Sequence, residues 1–160
     1  MPGPSGSTTP AMWWAGAGRR TCRPTPFLLK DGVLTDLGTL GGRHSGAYGI
    51  NREGKVVGSA QTSSGASHAF LWLSGVMTDL GTLGGRSSAA YAISPLGLVV
   101  GSSLTRDNLS NAFLWDKGVM TDLGTLGGIS HARAVNRAGW VVGGSETKSG
   151  DVHATLWRLN

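Results

Sequence analysis

Apolar side chains come in short clusters along this chain, separated by Gly, Pro, Ser and Asn. In the middle of the sequence the clusters read AFLWL (69–73), VMTDLGTL (76–83), AAYAI (89–93) and LVVGSS (98–103). Between them lie Ser74-Gly75, then Gly84-Gly85-Arg86-Ser87, then Ser94-Pro95-Leu96-Gly97. Short apolar runs bounded by such residues predict β-strands joined by tight turns. A helix is predicted nowhere, because no segment keeps a period of about 3.6 over roughly ten residues and glycine interrupts each candidate. In the first cluster Phe70 and Trp72 share one alternation while Ala69 and Leu71 share the other. A strand apolar on both sides belongs to a sheet covered on both faces.

The clusters recur. TDLGTLGG stands at 35–42, 78–85 and 121–128, letter for letter, so that Asp36, Asp79 and Asp122 are 43 residues apart. The copies are read as 26–67, 68–111 and 112–152, with HATLW opening a closing strand at 153–159 and an atypical or disordered tail over 1–25. Four strands in about 43 residues is the size of a propeller blade. The expected fold is all-β: an incomplete, propeller-like array of four-stranded antiparallel blades, with a β-solenoid of two coils per copy as the alternative. One sheet cannot hide both apolar faces by itself, whereas stacked copies hide them from each other.

The octet invites a phosphate-binding reading, which its spacing rejects. Arg43, Arg86 and Ile129 follow the glycines where a P-loop needs Lys and then Ser or Thr, and the dinucleotide spacing and its βαβ setting are absent. Calcium nonapeptides place Asp after the glycines, but here it precedes them. A structural joint explains more. Gly84-Gly85 and Gly127-Gly128 would take positive φ and reverse the chain. Asp79 and Asp122 would accept backbone N–H groups. Gly81 would mark a bulge or a close backbone approach.

Charge changes the picture little. Of the net +5, Arg19, Arg20 and Arg23 lie in the tail, and from Phe27 onward eleven Lys/Arg face nine Asp/Glu. No face of the repeats is forced to be positive, so nucleic acid is not an expected partner. The single cysteine, Cys22, permits neither an intramolecular disulfide nor a thiolate metal site. No apolar run approaches the roughly 18 residues of a membrane span. The opening MPGPSGSTTPAMWW lacks the charged-then-apolar order of a signal peptide.

Candidate chemistry is sparse. His68 and His153 precede the first strand of a copy, where Asn111 and Thr25 stand in the others. An Asn in place of His points to hydrogen bonding rather than metal ligation. His44 and His131 follow the double glycine one position out of register and read as loop residues. No H-x₃-H or H-E-x-x-H spacing and no G-x-S-x-G elbow occurs, so no metal, cofactor or nucleophile is expected. The carboxylates Asp31, Asp107, Asp116 and Asp151 read as loop residues, with Glu53 and Glu146 near turns. Copies differ most after the double glycine (RHSG, RSSA, ISHA) and between the last strand of one copy and the first of the next. There Arg43, Arg86, Arg106 and Lys148 are the cations placed to meet an acidic glycan or a partner.

With HAFLW and DLGTLGG both on the page, the chain resembles the HAF-type repeat family of extracellular bacterial proteins. The resemblance rests on His68 to Trp72, Asp79 to Gly85, Ala92-Ile93 and Val99-Val100-Gly101, with Phe113, Trp115, Asp122, Gly127, Gly128 and Trp157 as equivalents, and covers roughly 26–159. It implies a repeat-built β fold, a place outside the cell or on its surface, and no catalytic residues to carry over. The first copy departs from it with Pro26 and Leu29 where the motif has Ala and Trp. The expected function is a non-catalytic module that binds a glycan or protein and self-associates through open blade edges. A fragment of a propeller hydrolase and a degenerate remnant are the alternatives. If the aromatic faces carry the stacking, Trp72→Ala should cost about 3–5 kcal/mol in chemical denaturation.

Overall fold

The computed structural model describes residues 25–30 and 32–158. The expected tail, Thr25 apart, lies outside them, as do Cys22 and Asp31. The described residues are strands and turns without a helix, and no helix is long and apolar enough to cross a membrane.

Strands β1 (Phe27–Lys30) and β2 (Val33–Asp36) make a two-stranded sheet. Strands β3 (Gly41–Ile50), β4 (Val56–Thr62), β5 (Ser67–Leu73) and β6 (Val76–Asp79) make the next, in chain order. The same meander returns in β7 (Gly84–Ile93), β8 (Val99–Thr105), β9 (Ser110–Asp116) and β10 (Val119–Asp122). A three-stranded sheet follows from β11 (Gly127–Val135), β12 (Trp140–Thr147) and β13 (Val152–Arg158). Every ladder is antiparallel.

Sheet boundaries do not follow the sequence copies. Each full sheet takes the last two runs of one copy and the first two of the next, and the closing strand β13 pairs with β12 as a third strand. The octet sets this phase. The run 76–83 is strand only as far as Asp79. Leu80 N–H still reaches Ala69 O at 2.9 Å, and then Gly81 at φ +76° turns the chain away. Gly81 is therefore neither a strand bulge nor a close approach, since a Cβ built there meets nothing within 4 Å. Gly84 has the expected positive φ of +101° and opens β7. Its neighbour does not: Gly85 is excluded from larger residues by space, with Thr105 O only 2.5 Å from a built Cβ.

The core lies between sheets. Leu37, Val56, Phe70 and Trp72 join the first sheet to the second. Val57, Ala69, Leu80, Val99 and Phe113 join the second to the third. Val100, Ala112, Leu114 and Val141 join the third to the last. Phe70 is 0% and Trp72 6% exposed on one face of their sheet, while Ala69 and Val57 are buried on the other. Dual burial follows from the alternation that the sequence displays.

Each first strand carries a bulge: the register skips Tyr48, Tyr91 and Arg133. Opposite the skip stand Gly58, Gly101 and Gly143, where a Cβ would overlap the carbonyl oxygens of Gly46, Ala89 and His131. The third residue of each Val-Val-Gly is thus glycine for want of room. An extra residue in one strand re-aims its side chain out of the ladder, and it does so in the same way in all three sheets.

Candidate functional site

The octet repeats because its Asp and its second Thr make the same backbone bonds in every copy. Asp79 Oδ1 accepts Gly81 N–H at 2.8 Å, and Asp36 and Asp122 do the same for Gly38 and Gly124. The second carboxylate oxygen of Asp79 accepts His68 Nδ1–H at 2.8 Å, and that of Asp122 accepts Asn111 Nδ2–H at 2.8 Å. His and Asn share a site here because either can donate to the same oxygen. Thr82 Oγ1 donates to Gly85 O and accepts Gly84 N–H, which closes the turn into β7.

Two serines that the sequence reading passed over complete the joint. Ser88, buried on β7, accepts Ala69 N–H at 2.8 Å and donates to Gly81 O. Ser130 on β11 does the same with Ala112 N–H and Gly124 O, at 2.8 and 2.7 Å. Each hydroxyl joins the sheet it sits on to the one before it. The first copy lacks half of this link: Ser45 donates to Gly38 O, but Pro26 occupies the position of Ala69 and has no N–H. On the neighbouring strands Ser103 and Ser145 accept Leu83 and Leu126 N–H at 2.8 and 2.7 Å. Their positions repeat in the sequence, but among so many turn serines nothing marks them out.

The sequence candidates are placed differently from expectation. Arg43, His44, Arg86 and His131 are not on loops; they lie on β3, β7 and β11, because the segment after the double glycine pairs with the next strand. Asp116 and Glu146 are likewise strand residues. Arg106 and Lys148 do sit in turns, packed over Gly84 and Gly127 respectively. All four cations fall at the end of the sheets where the octets lie, and so do Asp36, Asp79, Asp107, Asp122, Glu146 and Asp151. Acids outnumber bases there, so no cationic surface forms. Among the described residues no three His, Cys, Asp or Glu side chains gather in one place.

What does gather is a row on the bulges. Tyr48 and Tyr91 meet with ring centroids 6.0 Å apart and planes tilted by 39°, and the Arg133 guanidinium lies 4.9 Å from the Tyr91 centroid. Tyr48 is 52% exposed. Each phenol is tethered across its sheet, Tyr48 Oη to Ser59 Oγ at 3.0 Å and Tyr91 Oη to Ser102 Oγ at 3.2 Å. Beside Tyr91 opens a cleft of about 220 Å³ along the third sheet, bordered by Ser67 of the second. Ser67 of β5 forms one side, and Ser87, Tyr91, Ser102, Leu104 and Ser110 form the rest.

On the last sheet the matching positions fall on the face that carries Val142 and Leu156, and the space there is occupied. There the register puts His131 in the place of Ala89 and Gly144 in that of Ser102. The imidazole lies so close that a Cβ on Gly144 would stand 3.1 Å from its Cε1. Burial first and the Arg133 cation second lower the proton affinity of His131 below the ordinary value of 6.5. The folded chain therefore binds less proton at His131 than the unfolded one, and acidification below that value works against the fold.

No family model matches the chain, and the curated proteins and solved structures compared with it include no match.

The joint makes a direct stability prediction. Ser88→Ala strands the buried N–H of Ala69 and should lower stability by about 1–3 kcal/mol. In urea denaturation His68→Asn, which copies the third octet's partner, should change stability by less than about 0.5 kcal/mol.

Proposed function

We propose that the chain is a non-catalytic repeat module of the cell surface or exterior that binds a glycan or a protein at the octet end of its sheets. The observation that carries this reading is how the copies divide their residues. Positions that are equal between copies make internal bonds or fill the core, as Asp79, Gly81, Ser88 and Phe113 do. Among the positions that differ, Arg86 against Ile129 and Tyr91 against Arg133 face solvent or line the bulge row. A surface freed from structural duty is where recognition evolves. The resemblance to HAF-type repeats supports the extracellular placing.

The sheets are, in this reading, the blades of an incomplete propeller. Antiparallel pairing within each sheet supports it, since the coils of a solenoid would pair in parallel, and parallel contacts here are single bridges such as Leu83 to Thr105. The last sheet bares the face that its equivalents bury: Val142 is 46% and Leu156 53% exposed, against 0% for Val100 and 7% for Leu114. That face fits a further sheet of the same kind.

Two measurements test these statements. A glycan array and a panel of extracellular proteins probed with the folded full chain should yield at least one specific binder; a well-folded chain that binds none contradicts the module. Light scattering after size exclusion should show concentration-dependent association of the 160-residue chain. A monomer throughout the range would contradict the open-face reading.

A further inference from the structure

Resting on the binding-module reading, the geometry points to a site for one uncharged sugar ring in the cleft between β5 and β7–β9, walled by Tyr91 and floored by serine hydroxyls. This moves the site away from the cations that the sequence puts forward and changes the class of ligand.

The cleft differs from its neighbour by specific substitutions. On the outer face of the last sheet the equivalent positions hold His131 for Ala89 and Val152 for Ser110, and the imidazole packs over Gly144. On the third sheet both are small, and a cleft of about 220 Å³ results. The octets on either side are identical, so the opening is not a by-product of the joint. It is written into residues that the fold does not use.

Its lining selects the ligand. None of the lining side chains carries a charge. Ser88 and Ser103 turn their hydroxyls to backbone groups, while Ser67, Ser87, Ser102 and Ser110 stand exposed or half-buried at the mouth. A serine hydroxyl donates one hydrogen bond and accepts two, which matches a sugar hydroxyl with the same capacity. Tyr91 adds an aromatic wall for the apolar C–H face of a pyranose. Arg133 approaches that ring from the following sheet, and Ser102 holds its hydroxyl, so the phenol is fixed before a ligand arrives. Fixing a contact in advance lowers the ordering cost of binding. The volume is below the roughly 300–1,000 Å³ of drug-sized sites and suits a single ring of an oligomer that continues past exposed Tyr48. An acidic sugar is disfavoured, because the acids around the octet end outnumber its bases and nothing in the cleft would pair a carboxylate.

The test titrates the full chain with cellotetraose, xylotetraose and chitotetraose, and with tetragalacturonate as the charged counterpart. At least one neutral oligomer should bind and shift the amide signals of Ser67, Ser87, Tyr91 and Ser110. The double variant Ala89→His/Ser102→Gly copies the pair that already packs in the last sheet and should weaken binding at least tenfold with its circular dichroism unchanged. If that variant misfolds, Ser110→Val, which copies Val152 of the same sheet, reads the same effect. Tyr91→Phe, which keeps the wall but loses the tether to Ser102, should bind more weakly than the parent, and Tyr91→Ala should not bind. The inference is overturned if tetragalacturonate binds more tightly than every neutral oligomer, if cleft-filling leaves affinity unchanged, or if no neutral oligomer moves these signals. In that last case a protein binder from the wider screen leaves the module reading standing, and the lack of any binder removes both.

Discussion

Where β6 ends at Asp79, strand β5 runs on, and the N–H of Ala69 points to a ladder that has stopped. A buried amide without a partner costs about 1–3 kcal/mol, and the chain meets that need from the next sheet. Ser88 reaches back across the inter-sheet gap and also ties down Gly81 O in the connection. The register of one sheet on the next depends on this hydroxyl. Shift β7 by one residue and Ser88 leaves Ala69, while every apolar side chain on β7 turns to its other face. Dispersion and burial hold the sheets together, but they are tolerant of sliding; the serine bridge is not.

The apolar faces follow from the same constraint. With the sheets pinned at the octet end, Phe70 and Trp72 close one gap and Val57 and Ala69 the next, so each sheet is both lid and floor. The bulges belong to the same scheme. Gly58, Gly101 and Gly143 let the first strand carry one extra residue, and that residue is turned out of the ladder toward its counterpart on the adjoining sheet. The joint thus fixes the fold, and the bulge row is what the fold leaves free to vary.

Much of this was legible in the residues. The central stretches of the strands, the two-sided burial of AFLW, and the Asp bond to nearby backbone could be read from alternation and from known Asx chemistry. The His-for-Asn exchange at 68 and 111 correctly announced a shared hydrogen bond. The phase of the sheets was hidden, because a sequence period has no preferred starting point and only the turn at Gly81 decides it. Ser88 was hidden for another reason: serine is at home in turns, and its role depends on an amide 19 residues away. The cleft was beyond reach as well, since it arises where small side chains from different strands coincide. The cations drew attention by their charge, yet topology sets them among more numerous acids.

If the serine bridge governs the stack, the amides it serves must open only when the sheets separate. Native-state hydrogen exchange at Ala69 and Ala112, followed by NMR with increasing urea, addresses this most directly. The account predicts that both exchange through one common opening whose free energy equals that of global unfolding. Exchange of Ala69 and Ala112 at rates close to those of the exposed turn amides, with the strands still protected, would contradict it.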